Sequence, residues 1–151
     1  MEHFSIEERR SFMKEEMEVF VSKLDTRTSE QFNSALQKAI IESLLDGTVF
    51  PIVESLADLQ NMTERQLFAN RQQQLIELQS VPDLDTRMRL IDMDIVYELD
   101  KITTQQQDTL ARAGVPGFRI TKNCREIILQ MAIIRFIVGV QKKIQNLSNI
   151  S

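Results

Sequence analysis

The sequence predicts an all-α protein. It has about six helices in an elongated bundle, one long helix near residues 83–113 and an apolar C-terminal helix near 124–146. Three observations predict this. Four glycines and three prolines in 151 residues are about two-fifths of the usual combined share of about 12%. That is too few for the turns that a sandwich or barrel needs about every 8–12 residues. Apolar side chains recur at spacings of three and four, the period of a helix face. Gly47, Pro51, Pro82, Gly114, Pro116 and Gly117 fall at the ends of those periodic runs, and only Gly139 lies within one.

The elements follow in order as one helical domain over 1–151, with N-terminal helices in 5–80. Ser5 and Glu8 form a capping box, each side chain satisfying the other's exposed backbone donor. Met13, Met17, Phe20 and Leu24 then make one stripe. Thr28 with Gln31 predicts a second start, with Phe32, Leu36, Ile40 and Leu44 at every fourth position, closed by Asp46-Gly47 because glycine adopts the left-handed conformation past a helix end. Thr48 starts a third helix that tolerates Pro51 in its first turn and carries Val49, Ile52, Val53, Leu56 and Leu59. A break at Asn61-Met62 and a fourth start at Thr63 with Gln66 are expected, leading to Leu67, Phe68, Leu75 and Leu78 before Pro82. Gln72, Gln73 and Gln74 read as a solvated face.

The longest pattern runs from Leu84 through Met88, Ile91, Ile95, Leu99, Ile102, Gln106 and Leu110 to Ala113. Its mean spacing of about 3.6 matches a straight helix rather than a heptad seam, some 45 Å long at about 1.5 Å per residue. Gln106 interrupts the seam, either at a solvated end or as a register-setting polar contact. Ala113-Gly114-Val115-Pro116-Gly117 is the sharpest stop. Gly114 ends the helix, and Pro116-Gly117 is the central pair of a type II turn within a connection over 114–122. Phe118 to Thr121 is a short extended piece. Asn123 with Glu126 opens the last helix, 123–147 with its cap, and Ile127 to Val140 is apolar nearly all round, so several helices are expected to cover it. That run is shorter than the ~20 residues a bilayer needs, so no membrane span is expected.

Composition excludes several chemistries. One Cys leaves no internal disulfide framework and fits a reducing compartment. One His and one Cys cannot build the usual zinc site. No glycine-rich phosphate loop, Ser–His–Asp set or Glu-x-x-His pair occurs, and Asp92 and Asp94 point to different helix faces. No catalytic residue, cofactor or metal is expected, and the chain reads as a non-enzyme. Cys124, at the first position of the last helix, would have its thiol pKa lowered there, but reads as a tolerated small residue rather than a redox sensor. The start Met-Glu-His-Phe-Ser resembles neither a secretory nor a mitochondrial leader, so an intracellular protein is expected.

Charge is unevenly spread. Before Gly114 stand twelve basic and twenty-one acidic side chains, and after it six basic and one acidic, giving −9 and +5 within a total of −4. The expected use of the basic segment is internal, packed on an acidic body; the alternative is a surface for an acidic partner or self-association. Nucleic acid is disfavoured as a partner by the negative total and by the lack of aromatic platforms among the basic residues.

Two blocks carry a family resemblance. One is Val49-Phe50-Pro51-Ile52-Val53-Glu54-Ser55-Leu56, continuing through Leu59-Gln60-Asn61-Met62-Thr63-Glu64 to Asn70-Arg71. The other is Ile95-Val96-Tyr97-Glu98-Leu99-Asp100-Lys101, Gln106-Gln107, Leu110 to Gly114, Val115-Pro116-Gly117-Phe118 and Leu129-Gln130-Met131. Together they resemble the gonadal protein and DiGeorge syndrome critical region protein six family, over roughly residues 42–72 and 92–138. The resemblance implies a small helical protein with a central coiled coil, linked to development and, in vertebrates, to neural crest cell migration and partly nuclear residence. It implies no catalytic activity or cofactor. Gln72 to Ile91 is shorter than the charged insert associated with vertebrate members, and Cys124 stands where the family tends to have Pro.

The leading reading is a non-enzymatic interaction or adaptor protein acting through helix-on-helix contacts with a protein partner, in the nucleus, the cytoplasm or both. Ile91, Ile95, Leu99, Ile102, Ile134 and Ile137 are the candidate core or contact residues. Gly114, Pro116, Gly117 and Phe118 form the structural turn. A self-associating coiled-coil scaffold, and an enzyme with a pocket inside the bundle, are the alternatives.

Overall fold

The computed structural model describes residues 3–79 and 81–150. Met1 and Glu2, part of the start considered above, lie outside the described residues, as do Ser80 and Ser151. Among the described residues there are six helices and no strand: α1 Ile6–Ser22, α2 Thr26–Gln31, α3 Ser34–Leu44, α4 Val49–Glu77, α5 Leu84–Arg112 and α6 Cys124–Ile150. The all-α class holds, and so does the long helix ending just before Gly114.

Two internal boundaries differ from the sequence expectation. The second helix does not run from Thr28 through Leu44; it divides at Phe32, whose backbone leaves the helical region (φ −82°, ψ 61°). Asn33 then caps α3, its side chain accepting from Leu36 N at 2.9 Å, and Gln37 Nε2 donates to the Phe32 carbonyl at 2.6 Å. Thr28 is buried inside α2 instead of capping a helix. The expected break at Asn61-Met62 is also absent. Thr63 Oγ1 donates back to the Leu59 carbonyl at 2.9 Å, and Gln60 Nε2 to Glu64 at 2.8 Å. Both bonds join residues one turn apart across the supposed break, so α4 is one 29-residue helix, as long as α5.

The chain gathers into two compact units, Met1–Glu54 with Gln107–Ser151, and Ser55–Gln106. The first holds the fully buried core: Met13 and Met17 of α1, Ile40 and Leu44 of α3, Val49 and Val53 of α4, Leu110 of α5, and Ile133, Phe136, Ile137 and Val140 of α6. Phe20 ties the helices together, its ring 6.0 Å from that of Phe32 and 5.5 Å from that of Phe136, distances at which tilted aromatic pairs attract. Arg9 reaches from α1 to the Leu45 carbonyl at 2.9 Å, satisfying an acceptor that the end of α3 leaves open. The expectation that α6 is covered all round fails, since Ile128 and Met131 are exposed.

The end of α5 explains the Gly114 signal. Val115 N donates to the Leu110 carbonyl and Gly114 N to the Ala111 carbonyl, both at 3.1 Å. With φ +86° at Gly114 this is the Schellman arrangement, completed by its apolar contact position: Leu110 and Val115 are both buried. Gly117 also sits at positive φ, +87°, and a Cβ there would lie 2.9 Å from Ile133 Cδ1. We expect Gly114→Val to destabilise the protein by about 1 kcal/mol or more, lowering Tm by roughly 2–4 °C in a thermal melt. An unchanged Tm would show that the residue tolerates another backbone state.

Candidate interaction surfaces

Residues 55–106 form a two-helix hairpin. Arg71 Nε lies 2.9 Å from Asp92 Oδ1, and Gln106 Nε2 donates to Gln60 Oε1 at 2.6 Å. The earlier α4 residue, Gln60, meets the later α5 residue, Gln106, and the later, Arg71, meets the earlier, Asp92, so the two helices run antiparallel. Asp83 starts the return with φ +66°, a conformation that Asp tolerates better than most residues. Gln106 is thus half-buried and makes an interhelical polar contact, the second of the two roles its sequence position allowed.

The α5 residues Met88, Ile91, Ile95, Leu99 and Ile102 are half-buried, as are Leu56, Leu67 and Leu75 on α4. Among the described residues no side chain between 55 and 106 reaches the burial of the first unit's core. On the side of α5 away from Ile91, Ile95 and Leu99, Leu90, Met93 and Tyr97 follow at spacings of three and four, with Met93 66% and Tyr97 61% exposed. Val96 on α5, and Met62, Phe68 and Ile76 on α4, are exposed as well. Lys101 Nζ sits 4.5 Å from the Tyr97 ring centroid, a cation–π contact that leaves the rest of the ring uncovered.

The second site is the connection between α5 and α6. Gln107 and Gln130 are each only 3% exposed. Gln107 Nε2 donates to Gln130 Oε1 at 2.9 Å and to the Thr121 carbonyl at 3.1 Å, while Thr121 N donates to Gln107 Oε1 at 3.3 Å. Gln130 Nε2 donates to the carbonyls of Gly117 at 3.3 Å and Arg119 at 3.1 Å. Two amides therefore hold three loop carbonyls and one loop N–H. Beside them, Glu126 accepts from Arg119 Nη2 at 2.6 Å and from the Thr121 hydroxyl. The Thr121 hydroxyl bond, then the Arg119 guanidinium, lowers the Glu126 pKa below its usual value. The sequence paired Glu126 with Asn123 as a reciprocal capping box; only half of that box forms. Asn123 Oδ1 accepts from Arg125 N at 3.0 Å and Glu126 N at 3.3 Å, and the Glu126 carboxylate turns to the loop instead.

Of the residues singled out from sequence, Ile137 is fully buried and Ile134 half-buried on α6, whereas Ile91, Ile95, Leu99 and Ile102 belong to the half-buried hairpin face. Phe118 is buried, as a structural turn residue should be. Cys124 is exposed and free. Tyr97, Gln107 and Gln130 entered the sequence reading only as members of the resembling blocks, and Met93 not at all. Among the described residues no group of His, Cys, Asp or Glu could hold a metal ion, and no helix is long and apolar enough to cross a membrane.

Residues 76–149 match the family model described as DiGeorge syndrome critical region 6 (DGCR6) protein, a span that contains the second block on which the resemblance rests. The chain is 29% identical over 172 residues to Protein DGCR6 of Gallus gallus, covering 91% of this chain and 86% of that protein. It is 28% identical over 153 residues to Gonadal protein gdl of Drosophila melanogaster, covering 87% and 79%. No solved structure matches. The resemblance read from the two sequence blocks therefore holds.

Two outcomes follow from the amide pair and Glu126. Gln107→Ala leaves Gln130 and the Thr121 backbone short of partners and should cost about 1–3 kcal/mol; a double-mutant cycle with Gln130→Ala should show strong coupling, and additive losses in chemical denaturation would contradict the shared network. Because folding lowers the Glu126 pKa, its stabilisation is present above the ordinary glutamate value of about 4.3 and is lost as pH falls through the folded value. Glu126→Gln should flatten the acid limb of the stability–pH curve, and an unaltered limb would remove Glu126 from that role.

Proposed function

We propose that this chain, similar to Protein DGCR6 and Gonadal protein gdl, is a non-enzymatic interaction protein whose 55–106 hairpin receives a helix of a protein partner, in a developmental setting. The observation that carries this reading is the hairpin's combination of a half-buried seam and an uncovered apolar row on α5. Leu90, Met93 and Tyr97 recur at the spacing by which one helix meets another, and large exposed apolar groups grouped on one face mark interaction sites more than scattered ones do. Two helices alone bury little of their apolar surface, so a third would add stability that the hairpin by itself lacks. The names of these similar proteins refer to a gonad and to a syndrome critical region, and a developmental role is proposed on those names alone. An intracellular site of action, nuclear, cytoplasmic or both, is proposed with it.

A second copy of the chain is the alternative occupant, favoured by the same three-and-four spacing. The test is a Met93→Glu/Tyr97→Glu variant compared with the unaltered protein in affinity capture and in light scattering. We expect the variant to keep its helicity and to lose one or more captured proteins while both forms remain monomeric. Identical captured sets would overturn the reading, and a dimer that the variant dissolves would replace it with the scaffold.

A further inference from the structure

A second surface lies in the other unit, between α1 and α6. Glu16, Val19, Phe20 and Lys23 of α1 and Arg135, Phe136, Gly139, Val140 and Lys143 of α6 line a groove of about 180 Å³. Each set recurs at three and four along its own helix, so two parallel faces form the walls. The floor is apolar: the Phe20 and Phe136 rings meet at a tilt of 58° with centroids 5.5 Å apart, Phe136 and Val140 are themselves buried, and Val19 beside them is half exposed.

Two independent features set this groove apart. Gly139 stands within a 27-residue helix, where glycine is less favourable than alanine. A Cβ at Gly139 would meet nothing within 4 Å, so no neighbour in the fold requires glycine there, yet a side chain would project into the groove. The rim is also cationic. Lys143 pairs with Glu16 across the groove, and among the described residues neither Lys23 nor Arg135 makes an ion pair. The residues lining the groove thus carry three positive charges and one negative.

We propose that this groove binds a short acidic segment of another protein, which places one large apolar side chain over Phe20, Phe136 and Gly139 and its carboxylates beside Lys23, Arg135 and Lys143. The apolar floor supplies affinity through burial. The cationic rim selects an acidic sequence and speeds encounter. A free anion would use the rim but not the floor, and a neutral apolar peptide the floor but not the rim; an acidic segment with an apolar anchor uses both.

The intact protein panned against a random displayed peptide library should enrich acidic peptides with a single large apolar anchor. In fluorescence anisotropy, the enriched peptide should bind about tenfold or more weakly to Gly139→Leu, which fills the notch and leaves every charge in place, and to Lys23→Glu/Arg135→Glu. Binding should weaken with salt and persist in Met93→Glu, which lies on the hairpin. Circular dichroism and Tm establish that the variants are folded; Gly139→Ala, expected to stabilise α6, keeps the test valid if the leucine variant does not fold, because it narrows the notch by one methyl and should weaken binding to a smaller degree. Enrichment of basic or neutral peptides, or of none, would overturn the proposal. So would full binding by the folded Gly139 variants, loss of binding in Met93→Glu, or a dimer that dissolves in Gly139→Leu and so identifies a second copy as the occupant.

Discussion

The bond between the Gln107 and Gln130 side-chain amides is the constraint on which the first unit depends. The chain must leave α5, reverse and enter α6 while keeping its polar backbone satisfied, and partly buried carbonyls without partners are costly. A primary amide is suited to this because it has two donors and an acceptor with two lone pairs. Gln130 spends its donors on the Gly117 and Arg119 carbonyls and its acceptor on Gln107, which in turn both donates to and accepts from Thr121. The loop from Gly114 to Asn123 therefore has no regular structure and yet a defined course. Its course fixes where α6 begins, and hence which of its faces carries Ile133, Phe136, Ile137 and Val140 into the core.

The two units use the same helical periodicity to different ends. In the first, α1, α3 and α6 give their apolar stripes to one another, and side chains such as Ile40, Leu44, Leu110 and Ile137 lose all contact with water. In the hairpin, one stripe on each helix is half-buried, and apolar residues outside those stripes remain exposed. Segments with few buried apolar contacts open more readily than core segments. The hairpin is accordingly the part of the chain whose ordering gains most from a partner, whereas the groove between α1 and α6 is built on helices already held by the core, and its shape is set before anything binds.

Legibility in the sequence followed how local each cause is. The Ser5–Glu8 box acts over four residues, and it forms as read, with Ser5 Oγ accepting from Glu8 N and Ser5 N donating to Glu8. The stop at Gly114 was equally plain, because a glycine two residues before a Pro-Gly pair admits few alternatives. The helix count agreed, but two divisions did not: Asn33 caps α3, and Asn61-Met62 interrupts nothing, since neither residue type breaks a helix as Gly or Pro does. Gln107 and Gln130 are 23 residues apart, and nothing local in either position announces the bond between them. Nor does periodicity alone show which face of α5 is covered. Ile95 and Tyr97 are both apolar in character, and only the position of α4 makes one a seam residue and the other a surface one.

The division into units also reassigns the net charge. Split at Gly114, the chain looks like an acidic body with a basic end. Split as it folds, residues 55–106 carry nine acidic and five basic side chains, and the remainder carries thirteen of each. The whole excess of −4 therefore belongs to the hairpin. Two of the six cations beyond Gly114 have internal uses, Arg119 with Glu126 on the loop and Lys143 with Glu16 across the groove. The first unit is neutral in sum, yet the residues lining the α1–α6 groove carry three cations, Lys23, Arg135 and Lys143, against the one carboxylate of Glu16. Net charge along a sequence and the field at a given surface are separate quantities, and partner chemistry answers to the second. The acidic hairpin with its apolar row and the cationic groove with its apolar floor are thus two surfaces of opposite sign on one chain, and the two proposed partners would differ in charge accordingly.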